Sequence, residues 1–354
     1  MSKNAPDPAI AAAPGQGPAA MRPAAAGLRL AALVLLLLAA LWAFSGQASA
    51  YGLTLAALAC LNITLAVSMQ LTNGLTGLFS LGHPAFMMVG AYVAAVLGYP
   101  VARKSTMLFA LPEPFVSWQM PFVLSVISAA VIVGLIAFLI GIIVLRLKGH
   151  YLAVATLGLI VIVQGLAINW QGLTRGGSGL SGIPRLTNIW WCAGLMMLVL
   201  LIVWRIKFSS LGRAMMATRE NQLAAECIGV RTARVKLIAF VLGAIIAGVV
   251  GAFMAHLITV VTPRSYGIVL AFNLVAMVVL GGTGSIIGAV LAALVITLLG
   301  ESLKPLEESM GLYGLSQMIV ALMLVLVLRF RPAGLFGSGE PRWITRLFRP
   351  EMKQ

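Results

Sequence analysis

RIKFSSLGRAMMATRENQLAAECIGVRTARVK, residues 205–236, separates two long apolar segments. It carries seven of the chain's 24 Lys and Arg residues: Arg205, Lys207, Arg213, Arg219, Arg231, Arg234 and Lys236. Basic residues beside membrane spans collect on the cytoplasmic side, because translocating them is costly. The stretch therefore predicts a sizeable segment held against the inner face of a membrane. A connection of this length is usually functional in its own right.

Outward from that stretch, long uncharged apolar runs recur, as membrane spans require. The 354 residues are 61% hydrophobic and 9% charged, where soluble domains are about one quarter charged. The expected fold is all-α: a polytopic transmembrane helical bundle over 28–337 with 205–236 as its inner loop. Residues 1–27, rich in Ala, Pro and Gly, read as a disordered cytoplasmic tail, and 338–354 as a basic cytoplasmic C-terminal tail. About ten spans are predicted, some broken or re-entrant: 28–44, 51–71, 80–98, 121–145, 151–170, 188–204, 237–256, 268–282, 285–300 and 312–328. Arg22 and Arg29 before the first run and Ala48-Ser49-Ala50 after it also fit a cleaved signal segment; an uncleaved first span is the reading taken here.

An N-in, C-in topology places 18 of the 24 basic residues inside and leaves Arg103, Lys104, Arg175, Arg185, Arg264 and Lys304 outside. The opposite orientation inverts that ratio. The same placement accounts for the net charge of +15 as membrane orientation, with membrane lipid as a partner and no nucleic acid. The cysteines Cys60, Cys192 and Cys227 are isolated in sequence and match neither a disulfide frame nor a metal site.

Two stretches interrupt apolar runs with Gly, Ser and Thr: NGLTGLFSLG at 73–82 and GGTGSIIG at 281–288. Broken helices at related positions of two halves line substrate paths, whereas small residues also serve close helix packing. For 73–82 both readings stand; for 281–288 packing is favoured. Asn73, Thr76 and Ser80 are candidate polar lining for a path, Gly74 and Gly77 would free backbone groups there, and His83 could donate to it or be satisfied by nearby carbonyls. His150 and His256 lie near span ends, where interfacial placement is ordinary.

Absences narrow the chemistry. None of the nine acidic residues sits centrally in a predicted span, whereas ion-coupled carriers commonly keep an ionisable group there. The chain has no Gly-Lys dipeptide, so it lacks a P-loop. Its GxGxxG match, Gly177 to Gly182, falls in an outer loop without βαβ context, and common hydrolase signatures are missing. The chain is read as non-catalytic and free of cofactor.

Within the inner loop, Ser209 or Ser210 can cap a helix starting near Leu211. Leu211, Ala214, Met215 and Thr218 share its less polar face, with Arg213 and Arg219 away from it. A second short helix over 221–228 is ended by Gly229. Its face of Ala224, Ala225 and Ile228 is small and apolar and suits a shallow groove on a partner protein.

LAAECIG at 223–229 resembles the EAA loop of ATP-binding-cassette importer permeases. With NGLTGLFSLGHPAFMMVGAY at 73–92, RLKGHYLAVATLG at 146–158, LTRGGSGLSGIPR at 173–185, VVLGGTGSIIGAVLAAL at 278–294 and RPAGLFG at 331–337, the chain is similar to LivM-type permeases of branched-chain amino acid importers from about residue 51 to 337. The resemblance implies a permease subunit in the bacterial inner membrane, paired with a LivH-like permease. It further implies two cytoplasmic ATPases that hold ATP and Mg, and a periplasmic substrate-binding protein. It makes Leu211, Arg213, Arg219, Glu220, Ala224, Ala225 and Gly229 the ATPase-coupling set. Leu223 stands where the general pattern has Glu, with Glu220 three residues earlier as a substitute. The 176–182 segment would shape the outer mouth, and Pro332 would stop the last helix. A self-sufficient carrier or channel for small polar solutes is the alternative from another class.

Overall fold

Ser49 opens the first described helix: its side chain accepts the Gly52 amide at 3.2 Å, and α1 (Ala50–Met69) follows. The computed structural model describes residues 46, 48–107, 117–147, 149–312, 314–331, 333–337 and 339. The predicted 28–44 span, the 1–27 tail, Pro332 and all of 338–354 except Gly339 lie outside them. The elements below belong to one unit, Gln47–Glu340; of the other, Met1–Gly46 with Pro341–Gln354, only Gly46 is described.

After α1 come α2 (His83–Gly98), α3 (Val101–Met107), α4 (Phe122–Val144), α5 (His150–Asn169), α6 (Gln171–Thr174) and α7 (Ile189–Lys207). Two short helices, α8 (Ser210–Glu220) and α9 (Gln222–Cys227), lead to α10 (Thr232–Ile258), α11 (Ile268–Gly281), α12 (Ile286–Met310) and α13 (Leu315–Phe330). Among the described residues, seven helical segments are long and apolar enough to cross a membrane, and α2 and α13 are shorter apolar helices. Each of the nine predicted spans from residue 51 onward coincides with one of these.

The bundle is built in layers. Of the 16 residues of α2, 13 are buried, and α10 runs against it at backbone distance. A Cβ at Gly90 would stand 2.1 Å from the Gly248 carbonyl oxygen, and one at Gly251 1.9 Å from that of Met87. Small residues let helices approach this closely where lipid offers no hydrophobic drive for association. On the rim, α4 buries a single stripe, Ser125, Ala129, Val133, Ala137 and Gly141. It exposes Ile127, Val131, Leu135, Leu139 and Ile143, as a lipid-facing helix must.

Two predicted boundaries move. The helix expected at 237–256 starts at Thr232, so Arg234 and Lys236 stand on its first turns; long basic side chains at a helix end can reach toward the headgroups. The span expected to end near 300 continues to Met310 through Pro305. Proline removes the amide that would bond the carbonyl four residues back. Here the Tyr51 hydroxyl donates to that Glu301 carbonyl at 3.5 Å.

Hydrogen bonds sort the connections into two ends. At one, Leu180–Ser181 (β1) pairs antiparallel with Val260–Val261 (β2), and Tyr99 donates its hydroxyl to the Ser181 carbonyl at 2.6 Å. The glycine-rich 176–182 segment is therefore pinned. His256, expected at an interface, is fully buried beneath this cap; its Nδ1 lies 3.0 Å from the Pro184 carbonyl oxygen, and its ring packs edge-on to Phe122 at 5.2 Å. Nearby, Lys104 is buried and donates to the Trp118 carbonyl at 2.8 Å; burial pushes its ammonium below the usual lysine range. The opposite, basic end holds α8, α9 and both glycine-rich interruptions.

Candidate functional site

The first interruption begins inside a helix. α1 widens into a π turn, Gln70–Gly74, a local expansion frequent at functional sites. The chain leaves helical geometry at Gly77, whose φ of +69° is strained for any residue with a Cβ. Its polar side chains hold one another. Asn73 Nδ2 donates to the Ser80 carbonyl and Asn73 Oδ1 accepts the Ser80 amide, both at 3.2 Å. The Thr76 hydroxyl donates to the Thr72 carbonyl at 2.5 Å. Thr76, Ser80 and His83 are buried, Asn73 is half-buried, and Gly77 and Phe79 are exposed. His83 Nε2 finds no hydrogen-bond partner among the described residues.

The second interruption is the turn between α11 and α12. Gly281 and Gly288 meet so closely that a Cβ on Gly288 would lie 2.0 Å from the Gly281 carbonyl oxygen, so this stretch does serve close packing. The residues between them are held from outside. Gln70 Nε2 donates to the Gly282 and Ser285 carbonyls at 3.0 and 3.3 Å. Arg219 Nη1 donates to Thr283 O at 3.2 Å and Lys207 Nζ to Gly284 O at 2.5 Å. The 331–337 segment, expected only to stop a helix, also braces this turn. The Leu335 and Phe336 amides donate to the Leu280 and Gly281 carbonyls at 2.9 and 3.3 Å.

Two cavities are lined by residues of α11, the first of them also by both interruptions. One, of about 60 Å³, is lined by Asn73, Gly77, Phe79, Val275, Val278 and Thr283 among others. The other, of about 230 Å³, is bordered by Asn62, Asn273, Thr297, Glu301, Lys304 and Gln317. Sequence reading missed the second cavity: Thr297, Glu301 and Lys304 share one face of α12, but that face runs past the predicted end of the span near 300, and Asn62, Asn273 and Gln317 come from three other helices.

The inner-loop helices start and stop as read. Ser209 caps α8 by accepting the Gly212 amide, Asn221 caps α9 by accepting the Ala224 amide, and Gly229 at φ +86° follows. Beyond Thr283, Arg219 donates to the Gly74 carbonyl at 2.7 Å, and its stem lies beside Gly77, whose added Cβ would touch Arg219 Cγ at 3.1 Å. One orientation differs from expectation. Ala225 is buried, so the outward face of α9 is Leu223, Ala224, Cys227 and Ile228. Leu223 and Ile228 are 74% and 76% exposed. Behind this face, Thr232 donates to Glu226 at 2.6 Å and Lys236 to Gln222 at 2.7 Å, fixing α9 to the start of α10. Leu211 is half-buried, and Arg213, Glu220 and Gly229 are exposed.

A multi-pass apolar bundle with paired helix interruptions at one end, and an exposed apolar helix face beside them, is the build of a membrane permease subunit. The chain belongs to the family described as branched-chain amino acid transport system, permease component, whose model matches residues 51–328. It is 29% identical to the high-affinity branched-chain amino acid transport system permease protein LivM of Escherichia coli K12, covering 89% of this chain and 76% of that protein. It is 26% identical to the LivH permease of Salmonella typhimurium, over 78% of this chain and 91% of that one. A stretch covering 48% of the chain is 33% identical to the autoinducer 2 import permease LsrC of Yersinia pseudotuberculosis, over 51% of its length. No solved structure matches.

Proposed function

We propose that this chain is one of two permeases of an ATP-driven importer of branched-chain or related amino acids in a bacterial inner membrane. A LivH-like permease completes the path, and a periplasmic binding protein delivers the solute. Two cytoplasmic ATPases carry the ATP and Mg. The chain crosses the membrane ten times with both termini inside, 28–337 forms the permease domain, and the basic end is cytoplasmic.

The observation that carries this reading is the face of α9. Leu223 and Ile228 are strongly exposed on a helix fixed to α10, and exposed apolar surface rimmed by polar residues marks a protein contact. The ATPases dock on this face, with Leu211, Arg213, Glu220 and Gly229 along the same loop. Ala225 and Arg219 serve from within. The path follows α11 past the two cavities. Asn73 and Gly77 border it directly, whereas Gly74, Thr76, Ser80 and His83 shape its wall from behind.

Purification of the chain from its native host in mild detergent tests this. Co-purification of a second permease and P-loop ATPases is expected, with ATP-dependent leucine uptake once the assembly and its binding protein are placed in liposomes. A chain that purifies alone and moves solute without ATP overturns the proposal in favour of a carrier.

A further inference from the structure

The α11–α12 turn has an unusual supply of hydrogen-bond donors. Six successive carbonyls, Leu280 to Ser285, accept from outside the turn: from Leu335 N, Phe336 N, Gln70 Nε2, Arg219 Nη1, Lys207 Nζ and Gln70 Nε2 again. A helix end leaves its last carbonyls without partners, and cations there are favourable. The two cations come from either side of α8. Lys207 is the last residue of α7 and is 6% exposed. Arg219 stands in the last turn of α8, and its Nη1 bonds both interruptions at once, at Gly74 and at Thr283.

The corner between α7 and α8 is tight. A Cβ on Gly212 would lie 2.2 Å from the Ile206 carbonyl oxygen and 2.4 Å from that of Lys207, so the start of α8 packs backbone to backbone against the residue that carries the first cation. We infer that Lys207 and Arg219 form a two-point clasp through which displacement of α8 is passed to both glycine-rich interruptions. Both are positioning residues; neither needs to touch solute. Uncompensated carbonyls are costly away from water, so a turn held this way follows its donors. The inference rests on the reading that ATPases act on 210–229, and adds where their movement goes.

The test uses the complete transporter in liposomes, with radiolabelled leucine uptake and phosphate release measured side by side. In K207M and R219M, leucine taken up per ATP hydrolysed falls about tenfold, as expected for losing a charged hydrogen bond between two states. Hydrolysis and assembly persist, and R219K restores most of the ratio. Assembled K207M and R219M variants with the unaltered ratio overturn the clasp. An unaltered assembly that contains no ATPase overturns the importer reading instead. Hydrogen exchange on the unaltered transporter needs neither solute nor variant, and decides the matter where K207M or R219M fails to assemble. Trapping with ADP and vanadate should change exchange at 210–220 and 281–285 together. A change at 210–220 alone overturns the clasp, and no change at 210–220 overturns the importer reading.

Discussion

The two glycine-rich interruptions look alike in sequence and differ in the balance of inner and outer bonds that hold them. Residues 73–82 close on themselves through the Asn73–Ser80 pair and the Thr76–Thr72 bond. Residues 281–288 contribute their own Gly281–Gly288 contact, but their turn carbonyls rely on Gln70 beyond α1, on α7 and α8, and on the Leu335 and Phe336 amides. A segment that holds itself keeps its shape when its surroundings move; a segment held by others moves with them. Arg219 ties both to α8, but the first carries its own closing bonds through any movement, whereas the second takes its shape from its donors.

Three experiments break or sharpen this contrast. The largest effect is expected for Gly288→Leu, which drives a side chain into the Gly281 backbone. Overpacking of this kind costs about 3 kcal/mol or more, and size-exclusion chromatography of a fluorescent fusion should show loss of the monodisperse peak. Asn73→Ala removes both bonds that close the first interruption. It should destabilise the chain by about 1–3 kcal/mol, because the Ser80 carbonyl loses the Asn73 donor, while the Ser80 amide keeps the Leu78 carbonyl at 2.9 Å. A thermal melt in detergent reads this as a lower midpoint, and an unchanged midpoint would mean that the segment does not hold itself. Ser209→Ala removes the cap of α8 and should cost about 1 kcal/mol. It should also raise hydrogen exchange at 210–213 while leaving 73–82 as protected as before.

Much of this fold was legible from residue 51 onward, because apolar runs of span length leave little choice of structure. A serine cap at 209 or 210 and the stop at Gly229 were legible too, since each satisfies a local backbone need, and the structure selects Ser209 and adds Asn221 as the cap of α9. The rest depended on partners distant in the chain. The predicted span stops near 300, and the structure carries the helix on through Pro305, where the Tyr51 hydroxyl meets the Glu301 carbonyl. Arg219 and Lys207 read only as basic charge on the inner face, because a bond to a backbone carbonyl leaves no mark on the sequence of its acceptor. Ala224 and Ala225 are equivalent in composition, and only the packing of α9 decides which one faces outward.

The placement of the cysteines has a practical consequence. Of the three in the chain, Cys60 and Cys192 are buried and Cys227 is exposed, on the same face of α9 as Leu223 and Ile228. The protein thus carries a native attachment point for a maleimide dye, at the surface where the ATPases are proposed to sit and with no engineering of the background. Labelling should be rapid on the isolated chain and slow in the assembled transporter, and a dye placed there would report the arrival and departure of the ATPases in real time.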